Sequence, residues 1–282
     1  PYSVYGYKNT GTADAPVYVA KTNKEDGTAV FFDFNPHTKP NDTSGQYDDP
    51  ELNIISATRI GKVFGGGLGS GAIIYGNPIV NINQTYPFQF DATTKDYVQK
   101  TTSELGAIGV GYKDENNQDV EGGIFGGGNE AAVYGNTTVN IGNNTTVDWT
   151  VLDLNDSGQP KLDANERPIS KSIPNVTVLG ANIAGNVYGG GNLADVGYLA
   201  DDTKENDENS VYKDTNVNIS VKEVTDEGNT VWQSVTPGTK GVTIVGNVYG
   251  GGKGEAQTFK CEKAMVVGNT TVRIGNGTIG TG

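Results

Sequence analysis

The sequence predicts an all-β protein, built as a parallel β-helix (β-solenoid) with long inserted loops and hairpins. The first observation is a triple glycine that occurs four times, at intervals of 61, 63 and 61 residues. The first glycines of these motifs are Gly65, Gly126, Gly189 and Gly250. The second observation is a short word of alternating apolar and polar residues after each motif: IVNI, TVNI, NVNI and TVRI. Self-similarity at a fixed period is typical of stacked or radial repeat arrays.

Composition is the third observation. Glycine accounts for 41 of the 282 residues, about twice its usual ~7% share, and apolar residues reach only 35%. This combination favours a long, thin core over a spherical one. Convincing helix patterns are nearly absent, so short strands and turns are expected throughout.

The chain divides into two parts. Residues 1–51 lack the glycine motif but carry strand-like runs at 2–7, 16–20 and 28–34, so they are predicted to be a β-rich N-terminal cap or upstream segment. A repeat array needs a cover for its first hydrophobic face. Residues 52–282 are predicted to be the array. Its closing TIGTG matches the approach to another triple glycine, so the array is expected to continue beyond this fragment.

The short words are predicted to be strands whose apolar residues point inward, since side chains alternate between the two faces of a strand. The inward positions are Val80, Ile82, Val139, Ile141, Val217, Ile219, Val272 and Ile274. The residue between each pair, Asn81, Asn140, Asn218 or Arg273, is predicted to point outward.

An aromatic residue precedes every triple glycine. These residues are Phe64, Phe125, Tyr188 and Tyr249. If the repeats stack in register, the four rings form a ladder, with Val63, Ile124, Val187 and Val248 on the opposite face. Neighbouring aromatic and β-branched side chains on paired strands each contribute ~0.2–1 kcal/mol.

The glycines have two candidate explanations. Glycine permits a sharp turn with positive φ, and it also lets two backbones approach closely. Several strands are preceded by an asparagine that itself follows a glycine: Asn77, Asn136, Asn186, Asn247 and Asn269. These are interpreted as turn residues, because asparagine tolerates the left-handed region and can bond its own backbone.

Four polar excursions are expected to leave the core at two corners, over residues 83–121, 142–183, 192–214 and 220–241. The stretch at 146–156 has the pattern of a hairpin arm. A β-propeller is the alternative, since glycine pairs after an apolar strand also occur in kelch-type blades. However, Trp149 lies 23 residues after Gly126 and Trp232 lies 43 after Gly189, and this irregularity favours the solenoid.

The net charge and the scarcity of cysteine and histidine exclude several classes of function. The net charge of −13 disfavours nucleic acid and anionic membranes, which are bound mainly through lysine and arginine. No run of 18 apolar residues exists in this fragment, so membrane insertion is not expected. Cys261 and His37 are single, which excludes an internal disulfide and a four-ligand zinc site. The chain is therefore predicted not to be an enzyme, with neither catalytic residues nor a cofactor.

Acidic clusters leave calcium as a candidate ligand, because hard oxygen donors on loops suit this ion. The clusters are Asp48, Asp49 and Glu51; Asp114, Glu115, Asp119 and Glu121; and Asp201, Asp202, Glu205, Asp207 and Glu208. None has the order of a known calcium loop. Aromatic residues outside the repeat words could stack on sugars or pack the inserted arms: Tyr86, Phe88, Tyr97, Trp149 and Trp232.

GNVYGGG at 185–191 and 246–252, with GNTTVNI at 135–141 and GNTTVRI at 268–274, resembles the glycine-rich repeats of large bacterial surface and adhesin-like proteins. The resemblance covers residues 52–282. It implies a right-handed parallel β-helix on the cell exterior, used as a stalk or adhesive surface. The long insertions depart from the plain repeat and suggest decorated coils.

The expected function is that of an extracellular, structural or adhesive segment of a bacterial surface protein, non-catalytic, with recognition by the inserted loops. Its expected partners are host or bacterial surface glycans or proteins, and flanking repeats of the same chain. The alternatives are a carbohydrate-active β-helix enzyme or carbohydrate-binding module, and a phage tail fibre or spike.

Overall fold

A computed structural model describes residues 7–9, 18–20, 49–101, 104–164, 166–199, 210–255 and 264–281. These residues form twenty-four β-strands and no helix, which confirms the all-β class. In this part of the chain there is accordingly no helix long and apolar enough to cross a membrane.

Three parallel sheets account for most of the strands. The asparagine sheet contains β3 (Glu51–Ile54), β6 (Ile79–Ile82), β13 (Thr137–Ile141), β18 (Thr215–Ile219) and β23 (Thr270–Ile274). The aromatic sheet contains β5 (Lys62–Phe64), β12 (Gly123–Phe125), β17 (Asn186–Tyr188) and β22 (Val248–Tyr249). The third sheet contains β4 (Arg59–Ile60), β9 (Ala107–Ile108), β16 (Gly180–Ile183), β21 (Gly241–Ile244) and β24 (Thr278–Ile279).

Neighbours in each sheet come from successive repeats and pair in register. Val139 lies opposite Val80 on one side and Val217 on the other. Between one triple glycine and the next, the chain adds one strand to each sheet. A propeller blade is formed by strands of a single repeat. Since the sheets here join equivalent strands of different repeats, the propeller alternative is wrong.

One hydrophobic core takes side chains from all three sheets. It includes Val80 and Val139 of the asparagine sheet, Ile124 of the aromatic sheet and Ile183 of the third sheet. The six inward positions of the first three words, from Val80 to Ile219, are fully buried. Inward burial fails in the fourth word, where Val272 is 39% and Ile274 53% exposed. The reason is that no described strand lies beyond β23.

Close backbone approach explains the triple glycines. A Cβ added to Gly126 would lie 2.3 Å from the carbonyl oxygen of Gly189, in the next repeat. One added to Gly127 would lie 2.7 Å from the backbone nitrogen of Gly191. None of the triple-motif glycines has a positive φ. Of the two candidate explanations, the turn with positive φ is therefore wrong.

The asparagines after glycine do not bond their own backbone as predicted. The side-chain oxygen of Asn77 accepts a hydrogen bond from the backbone N–H of Asn136, one repeat on, at 2.9 Å. Asn136 accepts one from the N–H of Asp214, and Asp214 from that of Asn269. All five predicted turn asparagines have negative φ. Asn77, Asn136 and Asn186 act between repeats, where their side chains satisfy backbone donors at a corner.

Three of the four predicted excursions contain antiparallel hairpins, whereas residues 200–209 of the excursion 192–214 lie outside the described ranges. The hairpins comprise β7 (Phe88–Asp91) with β8 (Asp96–Gln99), β10 (Tyr112–Lys113) with β11 (Asp119–Val120), β14 (Thr146–Leu152) with β15 (Ser170–Thr177), and β19 (Val221–Asp226) with β20 (Asn229–Ser234). The hairpin arm predicted at 146–156 is confirmed by β14.

The predicted excursion boundaries were wrong at the third sheet. The range 83–121 contains the core strand β9, the range 142–183 ends in β16, and 220–241 ends on the first residue of β21. The chain also leaves the core at three corners instead of two, since β10 and β11 lie between the third and aromatic sheets.

In the predicted N-terminal segment, β1 (Tyr7–Asn9) and β2 (Tyr18–Ala20) form an antiparallel pair. The strand-like run at 28–34 lies outside the described residues. The array starts slightly before the predicted boundary, because β3 begins at Glu51 and pairs with β6.

Candidate binding groove on the asparagine sheet

The aromatic residues before the glycines form a continuous stack. Ring centroids are 4.9 Å apart between Phe64 and Phe125, 4.8 Å between Phe125 and Tyr188, and 4.9 Å between Tyr188 and Tyr249. Phe125 and Tyr188 are buried. The stack therefore joins repeats to one another, and its two inner rings offer little surface to a ligand.

A polar cluster borders this stack. Lys253 donates a hydrogen bond to Glu121, and Asn186 donates a second at 2.7 Å. Mainly because of the bond from Lys253, the pKa of the Glu121 carboxyl lies below its usual value. Burial raises the pKa of the Tyr188 hydroxyl, and the nearby Glu121 charge adds to this effect. The cluster links three repeats, since Glu121, Asn186 and Lys253 each belong to a different one.

The outward positions of the asparagine sheet form a hydrogen-bonded row, here called the asparagine ladder. It consists of Asn53, Asn81, Asn140, Asn218 and Arg273. The side-chain N–H of Asn81 donates to Asn53 at 3.0 Å, Asn140 to Asn81 at 2.8 Å, and Asn218 to Asn140 at 3.0 Å. Sequence reasoning found four members but missed Asn53, because its word ELNI precedes the first triple glycine.

The two ends of the ladder differ chemically. At one end, the carboxylate of Glu51 accepts hydrogen bonds from Asn53 and Asn81, each at 3.0 Å. At the other, the guanidinium of Arg273 donates to Asn218 and Asn216, each at 3.2 Å. A carboxylate only accepts and a guanidinium only donates. This explains why the fourth copy can carry arginine where the others carry asparagine.

Two inserted hairpins stand over the ladder and make a groove. One cavity, of about 710 Å³, lies between the start of the ladder and β14, with Asn53, Asn81 and Trp149 in its lining. A second, of about 620 Å³, lies between the end of the ladder and the hairpin β19–β20, with Asn140 and Trp232 in its lining. Asn81 and Asn144 line both cavities, so they form one groove that crosses the strands of several repeats.

Neighbouring elements hold the first wall. Phe88 of the hairpin β7–β8 packs against Trp149, with ring centroids 5.5 Å apart. The hydroxyl of Tyr97 donates to the carbonyl oxygen of Leu152 at 2.8 Å, and Lys171 pairs with Asp96 at 2.8 Å. Phe88 and Tyr97 therefore pack inserted arms, as one of the two interpretations predicted, whereas Trp149 also lines the groove.

The second wall rests directly on the ladder. The guanidinium of Arg273 lies 4.2 Å from the ring centroid of Trp232, which remains 38% exposed. A cation–π contact at such a site contributes ~0.5–1 kcal/mol. The contact fixes the indole at the end of the groove.

The groove lining is mostly neutral and polar. Its amide and hydroxyl side chains are those of Asn53, Ser56, Asn81, Asn83, Thr138, Asn140, Asn143, Asn144, Thr146, Thr150, Asn216, Asn218 and Thr230. Its ionisable groups are Asp148 in the first cavity and Lys222, Glu223 and Arg273 in the second. Such a lining offers many hydrogen-bond donors and acceptors with little net charge.

The predicted acidic clusters do not converge where they can be followed. Asp49 accepts from the backbone of Asn77 at 2.7 Å, Asp114 caps a local turn, and Asp119 pairs with Lys113 at 2.7 Å. Within the described ranges, no group of three or more Asp, Glu, His or Cys side chains could hold a metal ion. The cluster at 201–208, His37 and Cys261 lie outside those ranges.

The chain matches no protein-family model, and neither a curated protein nor a solved structure matches it.

Proposed function

We propose that this chain is a non-catalytic, structural and adhesive segment of an extracellular bacterial surface protein, built as a β-solenoid. In this proposal each repeat is one coil, and the groove on the asparagine sheet is the recognition surface. The partners are glycans or proteins on host or bacterial surfaces, together with flanking repeats of the same chain.

The solenoid is supported by the pairing and by the core. Equivalent strands pair in parallel, and one core takes residues from all three sheets. A stack of coils with three faces accounts for both facts, because each coil then passes once along every face. Stacked repeats contact mainly their neighbours, which suits extension away from a surface.

The observation that carries the adhesive role is that the floor and the walls of the groove are built from different kinds of element. Its floor is a row of equivalent residues from successive repeats, whereas its walls are two unrelated hairpins. Binding residues are commonly carried on connecting segments that a rigid scaffold positions. The hairpins fit that role, since none of their residues belongs to the main hydrophobic core.

The hairpin β19–β20 offers a clean test. Its ends are joined by a hydrogen bond of 2.7 Å from the N–H of Val235 to the carbonyl of Ser220, so a two-residue turn can replace 221–234. Beads that carry the chain would be tested for retention on fixed epithelial and bacterial cells. We expect removal of β19–β20 to abolish retention. As the matched control, removal of β10–β11, which lies outside the groove, should leave retention intact.

Treatment of the cells distinguishes the partner class. Periodate destroys glycans with vicinal hydroxyls, and protease removes surface proteins. Retention that survives both treatments, or that is the same with and without β19–β20, would contradict the adhesive proposal.

A carbohydrate-active enzyme is the second candidate, because Asp148 and Glu223 both line the groove. Glycosidases and lyases use carboxylates in such positions. Incubation with neutral and acidic polysaccharides, followed by assays for reducing ends and unsaturated products, separates the two. Turnover that disappears in D148N or E223Q would replace the non-catalytic proposal.

A further inference from the structure

We propose that the groove binds a neutral, linear glycan whose chain runs along the asparagine ladder, across the strands, with one sugar unit for each coil. The inference rests on the adhesive role proposed above and specifies its ligand. It is carried by the spacing, the hydrogen-bonding groups, the tryptophans and the charge of the groove.

The spacing of the ladder matches that of a linear sugar chain. Paired strands lie ~4.7–4.9 Å apart, so the ladder places one side chain at each such interval, of which Asn218 is buried beneath the second wall. One pyranose unit of an extended glycan advances by a similar distance, so successive sugars can meet equivalent groups. The five members of the ladder span four strand intervals, about 19 Å in total.

The ladder has hydrogen-bonding capacity left after its internal bonds. An asparagine amide offers two N–H groups and two acceptor lone pairs. Among the described residues, Asn53 uses one N–H, towards Glu51, and accepts one bond, from Asn81. Asn140 likewise uses one of its two N–H groups, towards Asn81. Sugar hydroxyls both donate and accept, so they match this remaining capacity and the threonine hydroxyls beside it.

The two tryptophans supply apolar contact at separate points along the ladder. Trp149 lines the first cavity and Trp232 the second, and both residues are partly exposed. The C–H faces of a sugar ring are apolar and pack on an indole, while the hydroxyls at its rim remain available to amides. Both rings are held by other side chains, so little conformational entropy is lost on binding.

Charge argues for a neutral chain. The groove carries two acidic and two basic side chains, and Arg273 is already engaged by Asn216, Asn218 and Trp232. The whole chain has a net charge of −13, so a polyanionic glycan would be repelled at long range. A neutral glycan avoids that repulsion.

Titration calorimetry with the full chain tests the proposal. The probes are neutral cello-, xylo- and manno-oligosaccharides of increasing length, with polygalacturonate and alginate oligosaccharides as anionic counterparts. We expect at least one neutral series to bind, with an affinity that rises with length until the oligosaccharide spans the ladder and then levels off. No anionic series should bind more tightly than the best neutral one.

Variants locate the site. W149A and W232A should each weaken binding roughly tenfold or more. The matched control is Y112A, which removes an exposed aromatic side chain from the hairpin β10–β11. Circular dichroism of each variant checks that the fold is retained. Equal effects of W149A and Y112A would overturn the groove as the site.

The outcomes separate this inference from the adhesive role. If no glycan binds but the beads adhere through a protease-sensitive partner, the glycan inference is wrong and the adhesive role stands. If the anionic series binds best, the neutral class is wrong. If neither glycans nor cells are bound, both proposals fail.

Discussion

The inner repeats and the last described repeat carry the same residue words in different surroundings. Ile141 in β13 is fully buried, whereas its equivalent Ile274 in β23 is 53% exposed. Tyr188 is 7% exposed and Tyr249 44%. The apolar residues of one repeat are therefore buried by the neighbouring repeat and not by the rest of their own repeat. Stability in such an array is largely a property of the interfaces between neighbours.

The largest expected difference is in the core. Ile141→Ala removes a fully buried side chain between two paired strands and should lower the free energy of unfolding by about 2–5 kcal/mol. Ile274→Ala, at the equivalent position on the uncovered strand, should cost less than about 1 kcal/mol. Urea denaturation followed by circular dichroism measures both. Equal losses would mean that β23 is covered in solution.

A second pair of equivalent substitutions compares a glycine of an inner repeat with a glycine of the last described repeat. A Cβ at Gly127 would meet the backbone of Gly191 at 2.7 Å, but a Cβ at Gly251 meets nothing within 4 Å. Gly127→Ala should therefore destabilise the chain by about 1–3 kcal/mol through overpacking. Gly251→Ala should be neutral in the same denaturation experiment. Destabilisation by both would show that glycine is needed for a reason other than the approach of the next repeat.

Threonine tests one hydrogen bond between repeats. The buried hydroxyl of Thr137 donates to the carbonyl oxygen of Gly189 in the next repeat. Thr137→Val keeps the shape but removes the donor, and should cost about 0.5–1.5 kcal/mol. Thr270→Val, at the exposed equivalent in β23, is the control, with little change expected. Hydrogen exchange at the backbone of β13 and β17 should report the local loosening in the first variant alone.

The smallest effect concerns pH. The pKa of Glu121 is lowered in the folded chain, so its contribution to stability is present above the unfolded value of 4.5 and is lost as pH falls through the folded value. Because Glu121 is partly exposed, this contribution is only a few tenths of a kcal/mol. Glu121→Gln should flatten the acid limb of a plot of stability against pH. Asp119→Asn, which breaks an exposed pair with Lys113, should leave that limb unchanged.

Sequence periodicity predicted the strands that are long enough to show a clear alternation of apolar and polar residues in every repeat. Val139 and Ile141 lie in a five-residue strand with clear alternation, so the sequence predicted that they face the core. The third sheet was harder to find, because β9 has two residues and β4 has two. So short a strand carries too little alternation to be distinguished from a loop, and the predicted excursions ran through it.

The groove could not be predicted because its parts come together only through the stacking. Asn53 and Asn140 lie far apart in the sequence, and Trp149 and Trp232 follow their words at different distances. Nothing in either hairpin indicates that it folds over the asparagine sheet. The outward asparagines were visible as a pattern, but their mutual hydrogen bonds depend on the parallel register.

The ladder that starts at Glu51 and finishes at Arg273 has a built-in polarity. Every amide in it points its donor towards the same end, so the row is not the same when read backwards. A polymer with two distinct termini would therefore bind to it in one orientation. The surface would select the direction of the polymer chain as well as its chemical composition.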